Sequence, residues 1–349
     1  MSKGEKRRNR RKRHLRYDRV IMVLIIFVLI GVIIALISGS CSDKQKKNTV
    51  DLQTGDSQET QTQDIQTEEV TEEVTEEVSE SSQEETEPVT EEVTEDEGFT
   101  SEKYAYDKIY QGDLVIVNAD YDYKFPEGDT TLLTVFDNKN HNYNASDYSV
   151  TLDAWVIESL NRMMTAFLKE ENRENSNIWI IDGYRTKETQ EEKYQNGESV
   201  FEAGHSEYHT GRTFDMSVID DDGNHYAFSA EGEYEWFAEN ASKYGFIIRF
   251  PDDKKEITGE NPRPRTYRYV GYPHSRYMYE NNLCFEEYIE ELKTYTKDEP
   301  LVFDDDGEEY SIYYVKAEKN GETEVPVPKH SFYTVSGNNI DGFIVTVEP

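Results

Sequence analysis

The stretch Ser206-Glu207-Tyr208-His209-Thr210-Gly211-Arg212-Thr213-Phe214-Asp215-Met216 decides how the chain is read. From Gly211 onward the residues alternate: Phe214, Met216 and Val218 share one face of a strand, and Thr213, Asp215 and Ser217 share the other. Asp215 therefore points away from the apolar face. The polar run before it reads as a loop with a turn at Thr210-Gly211.

Working outward, Asn177 to Ile181 reads as a buried strand that delivers Asp182-Gly183-Tyr184-Arg185 at its end, where binding loops usually sit. Leu152 to Leu168 carries Trp155, Leu160, Met163, Met164 and Phe167 near helical spacing, which predicts an amphipathic helix with these residues in the core. Leu114-Val115-Ile116-Val117, Phe246 to Phe250 and Thr266 to Val270 read as strands. Ser229 can cap a helix ending at Gly245, with Trp236, Phe237 and Tyr244 inward. Strands and helices mix without regular alternation, which predicts an α+β fold: an antiparallel sheet with helices packed on it. Beyond Lys297 short alternating strands (Tyr310 to Val315, Thr323 to Val327, Ser331 to Val335, Gly342 to Val347) predict a small C-terminal β appendage docked on the main domain. Its turns are Lys319-Asn320-Gly321 and Ser336-Gly337-Asn338-Asn339.

The central stretch resembles the S-x-H-x-x-G-x-A-x-D signature of the VanY-type D-alanyl-D-alanine carboxypeptidases, zinc enzymes with a hedgehog-like core. Ile180 to Gln190 resembles the family's strand-S-G-Y-R-S/T-x-E-x-Q element, Trp236 to Pro251 its helix and following strand, and Phe285-Glu286-Glu287-Tyr288 its closing L-E-E-Y-L helix. Ile257-Thr258-Gly259 and Arg268-Tyr269-Val270-Gly271 fall in the same order, so the similarity spans about residues 110 to 292. The resemblance implies that Arg185 clamps a peptide's terminal carboxylate, a role suited to a planar forked donor, with Ser206 and Gly211 also in the substrate cradle.

The metal positions depart from the family pattern. Of the three zinc ligands, only Asp215 stands in place: Tyr208 occupies the first, with His209 one step later as a possible substitute, and Thr266 occupies the third. The general-base position holds Arg263, within Arg263-Pro264-Arg265-Thr266-Tyr267 where the family reads E-P-W-H. Catalytic zinc needs about three protein donors and an open position for water. Phenol and hydroxyl groups are poor donors at neutral pH, and a guanidinium cannot accept a proton. Catalysis is therefore expected to be impaired, with no residue assigned as catalytic and no cofactor. Two alternatives stay open. An active zinc carboxypeptidase or dipeptidase could use relocated imidazoles among His205, His209, His225 and His274, with Glu260 as base. An envelope scaffold could instead act through the C-terminal β region.

Charge divides the rest of the chain. The formal net charge is −35, yet residues 1–19 hold ten Lys or Arg against two acids, so the bulk is strongly acidic and nucleic-acid binding is disfavoured. After that basic tail, Val20 to Ile37 is apolar except for Gly31, which predicts a transmembrane anchor over residues 20–38. The N-terminus would then be cytoplasmic and the C-terminal domain outside, at the cell wall. Residues 39–100, with repeats such as Thr67-Glu68-Glu69-Val70 and Thr71-Glu72-Glu73-Val74, read as a solvated acidic tether. A carboxypeptidase-like domain is expected over 101–296 and a β domain over 297–349. Cys41 and Cys284 are the only cysteines and build no disulfide framework. The expected partner is the peptidoglycan stem peptide; the residues name no protein partner.

Overall fold

The computed structural model describes residues 98–127 and 130–349. In chain order the strands are β1 (Phe99–Ala105), β2 (Leu132–Thr134), β3 (Asn144–Ala145), β4 (Thr151–Asp153), β5 (Ile178–Asp182), β6 (Thr213–Ile219) and β7 (His225–Ala227). There follow β8 (Phe246–Ile248), β9 (Thr266–Tyr269), β10 (Leu301–Asp305), β11 (Glu308–Lys316), β12 (Glu322–Pro328), β13 (Tyr333–Gly337) and β14 (Gly342–Val347). The helices that matter here are α1 (Ala154–Glu170), α2 (Lys187–Gln195), α3 (His274–Glu280) and α4 (Phe285–Leu292).

The fold is α+β, as the sequence predicts. The central sheet runs β3-β5-β6-β9-β8, with β7 added to β6, and every pairing in it except β3 with β5 is antiparallel. Strand β6 is buried on both faces. Phe214 and Met216 meet Val156, Leu160, Met163, Met164 and Phe167 of α1 in the main core. Asp153 starts α1 by accepting from the Trp155 amide at 3.0 Å. Trp155 itself sits in the first turn and points outward, 65% exposed, so it is not the core residue its spacing suggested.

Three further local expectations are corrected. Leu114 to Val117 is buried but pairs in no sheet, because side chains satisfy its backbone in place of a ladder. Ser336 Oγ accepts from Leu114 N, Glu207 Oε1 accepts from Val117 N, and Arg268 donates to the Val115 carbonyl. The segment before Gly245 is not one helix capped by Ser229 but a 3-10 turn, a single helical turn over Trp236–Asn240 and a second 3-10 turn, with no side-chain cap at its starts. Lys319-Asn320-Gly321 does not close a hairpin. Both edges of β11 are already taken by β10 and β14, so β12 leaves that sheet and pairs antiparallel with β1.

The C-terminal strands share their core with the rest of the domain. Leu301, Ile312 and Ile344 pack in one cluster with Leu114, Ile116, Val270, Phe285 and Tyr288. Across this junction the buried His274, opening α3, meets the Tyr288 hydroxyl with Nδ1 at 2.7 Å and Thr346 Oγ1 with Nε2 at 3.0 Å.

The expected membrane localisation is corrected as well. Among the described residues no helix is long and apolar enough to cross a membrane, and residues 20–38, on which that expectation rested, lie outside them.

Burial of His274 lowers its pKa from 6.5 to about 4. Between those values the unfolded chain binds the proton and the fold does not, so stability is full above about pH 6.5 and drains as pH falls toward 4. Urea titrations should show about 3 kcal/mol of pH-dependent loss from this group over that window, on top of the carboxylates' contribution. A His274→Gln variant should lack that increment, and an unchanged pH slope in the variant would refute the assignment.

Candidate functional site

Register brings the site together. In the β5–β6 pairing Asp182 lies opposite Asp215, just past a bulge after Ile180, and in the β6–β9 pairing Asp215 lies opposite Thr266. Asp182, Asp215 and Thr266 thus form one row across three strands, and the chain leaving β5 carries Arg185 beside it. Gly183 permits that exit: a Cβ there would lie 2.5 Å from the Thr151 carbonyl oxygen.

The signature loop enters β6 through a 3-10 turn, Glu207–Thr210, not through an extended segment. In such a turn successive side chains diverge by about 120°, so Glu207, Tyr208 and His209 point in three directions. Gly211 ends the turn at φ +67°, a left-handed conformation in which a Cβ would also strike Leu132 at 2.5 Å.

Tyr208 points to Asp215. Its hydroxyl donates to Asp215 Oδ1 at 2.6 Å, Thr266 Oγ1 donates to the same oxygen at 2.7 Å, and Arg265 Nε donates to Oδ2 at 3.0 Å. Burial first, and the neighbouring carboxylate second, push the Tyr208 phenol well above its ordinary pKa, so it stays a proton donor. Tyr208 and Thr266, the residues expected at the ligand positions, therefore converge on Asp215 as hydroxyl donors.

His209 points elsewhere. Nδ1 lies 2.7 Å from the Arg185 carbonyl oxygen, and Nε2 accepts from the Gly204 amide at 3.0 Å. These partners fix a neutral Nδ1–H tautomer, in keeping with the lowered pKa that burial imposes, and leave no lone pair for a metal. The other histidines do not gather either: His205 Nδ1 meets the Asn118 carbonyl, His225 is exposed on β7, and His274 is the buried contact already described. Glu260 is held by Arg263 at 3.1 Å, and the Arg263 guanidinium rests on Phe201 and Phe250.

Arg185 is buried. Its Nε and Nη2 bond Asp182, the latter at 2.6 Å, Nη1 donates to Gln190 at 2.9 Å, and its plane lies 3.7 Å over the Tyr208 ring. Gln190 is fixed in turn by the Ser199 hydroxyl and the Phe201 carbonyl. Ser206 is fully buried, and among the described residues its hydroxyl has no partner.

Glu207 points into a buried ion network that sequence reasoning did not pick out. It accepts from Arg249 Nε at 2.9 Å and Arg268 Nη1 at 2.5 Å, while Arg249 also forks onto Glu286 of α4 at 2.6 and 2.9 Å. The only signal in the sequence was the pair of arginines, Arg249 and Arg268, set inside otherwise apolar strand patterns. Arg265 was missed for a similar reason: three arginines alternate with other residues over 263–268, and their separate directions follow from register alone.

A peptidase-type α+β core is the class that this fold and site define. The family D-alanyl-D-alanine carboxypeptidase (VanY) matches residues 151–272. A D-alanyl-D-alanine carboxypeptidase of Enterococcus faecium is 34% identical over 247 residues, covering 70% of this chain and 77% of the relative. The bifunctional D-Ala-D-Ala dipeptidase and carboxypeptidase VanXYC of Enterococcus gallinarum is 32% identical over 160 residues, 42% of this chain and 82% of that one. Among solved structures, the vancomycin-resistance D,D-dipeptidase VanXYg, bound to a D-Ala-D-Ala phosphinate analogue, is 29% identical with a TM-score of 0.61, covering 72% of this chain and 99% of that one. The chain belongs to the VanY-type D-alanyl-D-alanine carboxypeptidase family.

Membership in a family of zinc enzymes overturns the expectation of no cofactor. The donor set in this chain does not fit that ion as arranged. One carboxylate, a phenol, a hydroxyl and a guanidinium surround the position, and among the described residues no group of three His, Cys, Asp or Glu could hold a metal.

The ion network yields a stability prediction. Glu207→Ala leaves Arg268 without a carboxylate and Arg249 with Glu286 alone, and should cost about 3–5 kcal/mol in chemical denaturation. A loss under about 1 kcal/mol, the range of an exposed pair, would show that solvent reaches the network.

Proposed function

We propose that this domain binds peptidoglycan stem peptides ending in D-Ala and does not cleave them by the family's hydrolytic route. The observation that carries this reading is the saturation of Asp215 by Tyr208, Thr266 and Arg265, together with an arginine at the general-base position. An attacking water would need a lone pair to accept its proton, and Arg263 offers none.

Binding groups are present beside the closed centre. A cavity of about 440 Å³ is lined by residues that include Ser149, Asp182, Tyr184, Arg185, Thr186 and Lys193. Arg185 keeps a second N–H on each terminal nitrogen beyond those given to Asp182 and Gln190, and Lys193 stands 3.9 Å from Asp182. A terminal carboxylate entering there meets charge-assisted donors held in a fixed plane. In the same reading residues 101–296 carry the site and 297–349 buttress it, a division of roles within one core.

Two measurements test the proposal. Calorimetry should show a D-Ala-terminated pentapeptide binding the wild-type protein and failing to bind Arg185→Ala. With zinc supplied, the wild type should release no D-alanine, whereas the variant carrying Tyr208→His, Thr266→His and Arg263→Glu should release it. Release by the wild type would overturn the hydrolytic part of the proposal, and equal binding by Arg185→Ala the recognition part.

A further inference from the structure

A second cavity, of about 200 Å³, opens beside residues 209–212 and has none of Tyr208, Asp215, Arg265 or Thr266 in its lining. Its wall is aromatic. Tyr123 stacks on His209 with centroids 6.0 Å apart and planes at 24°, and Phe125 meets His209 at 4.8 Å and Tyr123 at 4.9 Å. This wall is fixed in place: His209 is held at both ring nitrogens, and the Tyr123 amide donates to the Gly204 carbonyl at 2.7 Å.

The polar groups are few and balanced. Asp153 and Arg212 face the cavity with opposite charges, and Arg212 is already bound to Asp113 at 2.7 Å. Tyr123 and Tyr184 also line it, both half-buried, and among the described residues neither hydroxyl has a protein partner. Burial raises both pKa values, so both groups remain neutral donors and acceptors.

Flat apolar faces, no net charge and two unspent hydroxyls suit a ligand that is apolar across its ring and polar around its rim. A pyranose has that build, whereas an anionic peptide end would face Asp153 with Arg212 already committed. Tyr184 lines both this cavity and the one holding Arg185, so ligands in the two would be neighbours. We infer that this cavity binds an N-acetylated hexosamine of the glycan strand next to the stem-peptide site. The choice of polymer rests on the peptidoglycan reading above.

The test uses the full chain and the peptide-free disaccharide of N-acetylglucosamine and N-acetylmuramic acid, titrated by calorimetry in parallel with the bare pentapeptide. Saturable disaccharide binding is expected. Tyr123→Phe and Tyr184→Phe, which keep the ring and remove only the hydroxyl, should each weaken it about tenfold, and Tyr123→Phe, outside the Arg185 cavity, should leave pentapeptide affinity unchanged. Tyr123→Ala, checked for a native unfolding transition, should abolish it. No disaccharide binding by the wild type, or undiminished binding by both Phe variants, would overturn the site. Disaccharide binding without pentapeptide binding would sustain this cavity and remove the stem-peptide reading instead, so the two failures are distinct.

Discussion

The structure depends on one carboxylate, Glu207, held between two guanidinium groups where water does not reach. Glu207 is 1% exposed and lies between Arg249 and Arg268, both fully buried. Stripping any one of these charges from water would cost several kcal/mol, so each must find its counter-charge in place. Glu286 completes the set by taking the other side of the Arg249 fork. The result ties the signature loop to β9, to the segment leaving β8, to α4 and to the unpaired run at Leu114–Val117. These elements carry both the sheet and the C-terminal core.

With Glu207 held, the directions of Tyr208 and His209 are no longer free. The 3-10 turn sends one side chain to the network, the next to Asp215 and the third to the aromatic wall at Tyr123. An imidazole moved by one residue therefore exchanges its surroundings completely. At 208 it would sit over a carboxylate; at 209 it is locked between two backbone groups. A buried carboxylate without donors is costly. Tyr208, Thr266 and Arg265 supply three hydrogen bonds to Asp215 and meet that need.

Much of this was legible from the chain alone because it follows from alternation. The period of two through Thr213 to Val218 gave β6 and the direction of Asp215, and the helical spacing of Leu160, Met163, Met164 and Phe167 gave the packing of α1. What could not be read depends on distance in sequence. The pairing of β12 with β1 is decided by strands competing for the edges of β11, not by anything in Lys319-Asn320-Gly321. Leu114 to Val117 has the composition of a strand, and only the arrival of Ser336, Glu207 and Arg268 from elsewhere makes a ladder unnecessary. Trp155 is large and apolar, but its place in the first turn of α1 turns it to solvent. Arg265 looks like one charge among several until register sets it on Asp215.

Family membership and chemistry separate for the same physical reason. The fold is set by many distributed contacts: the sheet register, the α1 core, the buried ion network and the junction through His274. Each tolerates change at a particular ligand position, because Tyr208 and Thr266 contribute to the fold by hydrogen-bonding Asp215, a task for which a hydroxyl suffices. Hydrolysis is set by a few groups whose identity cannot vary, since an open metal coordination site and a proton acceptor have no hydroxyl or guanidinium equivalent. Recognition lies between these extremes. Arg185 is fixed by Asp182, Gln190 and the Tyr208 ring, contacts that need no ion nearby, so the groups that recognition would use are held independently of those that hydrolysis would need.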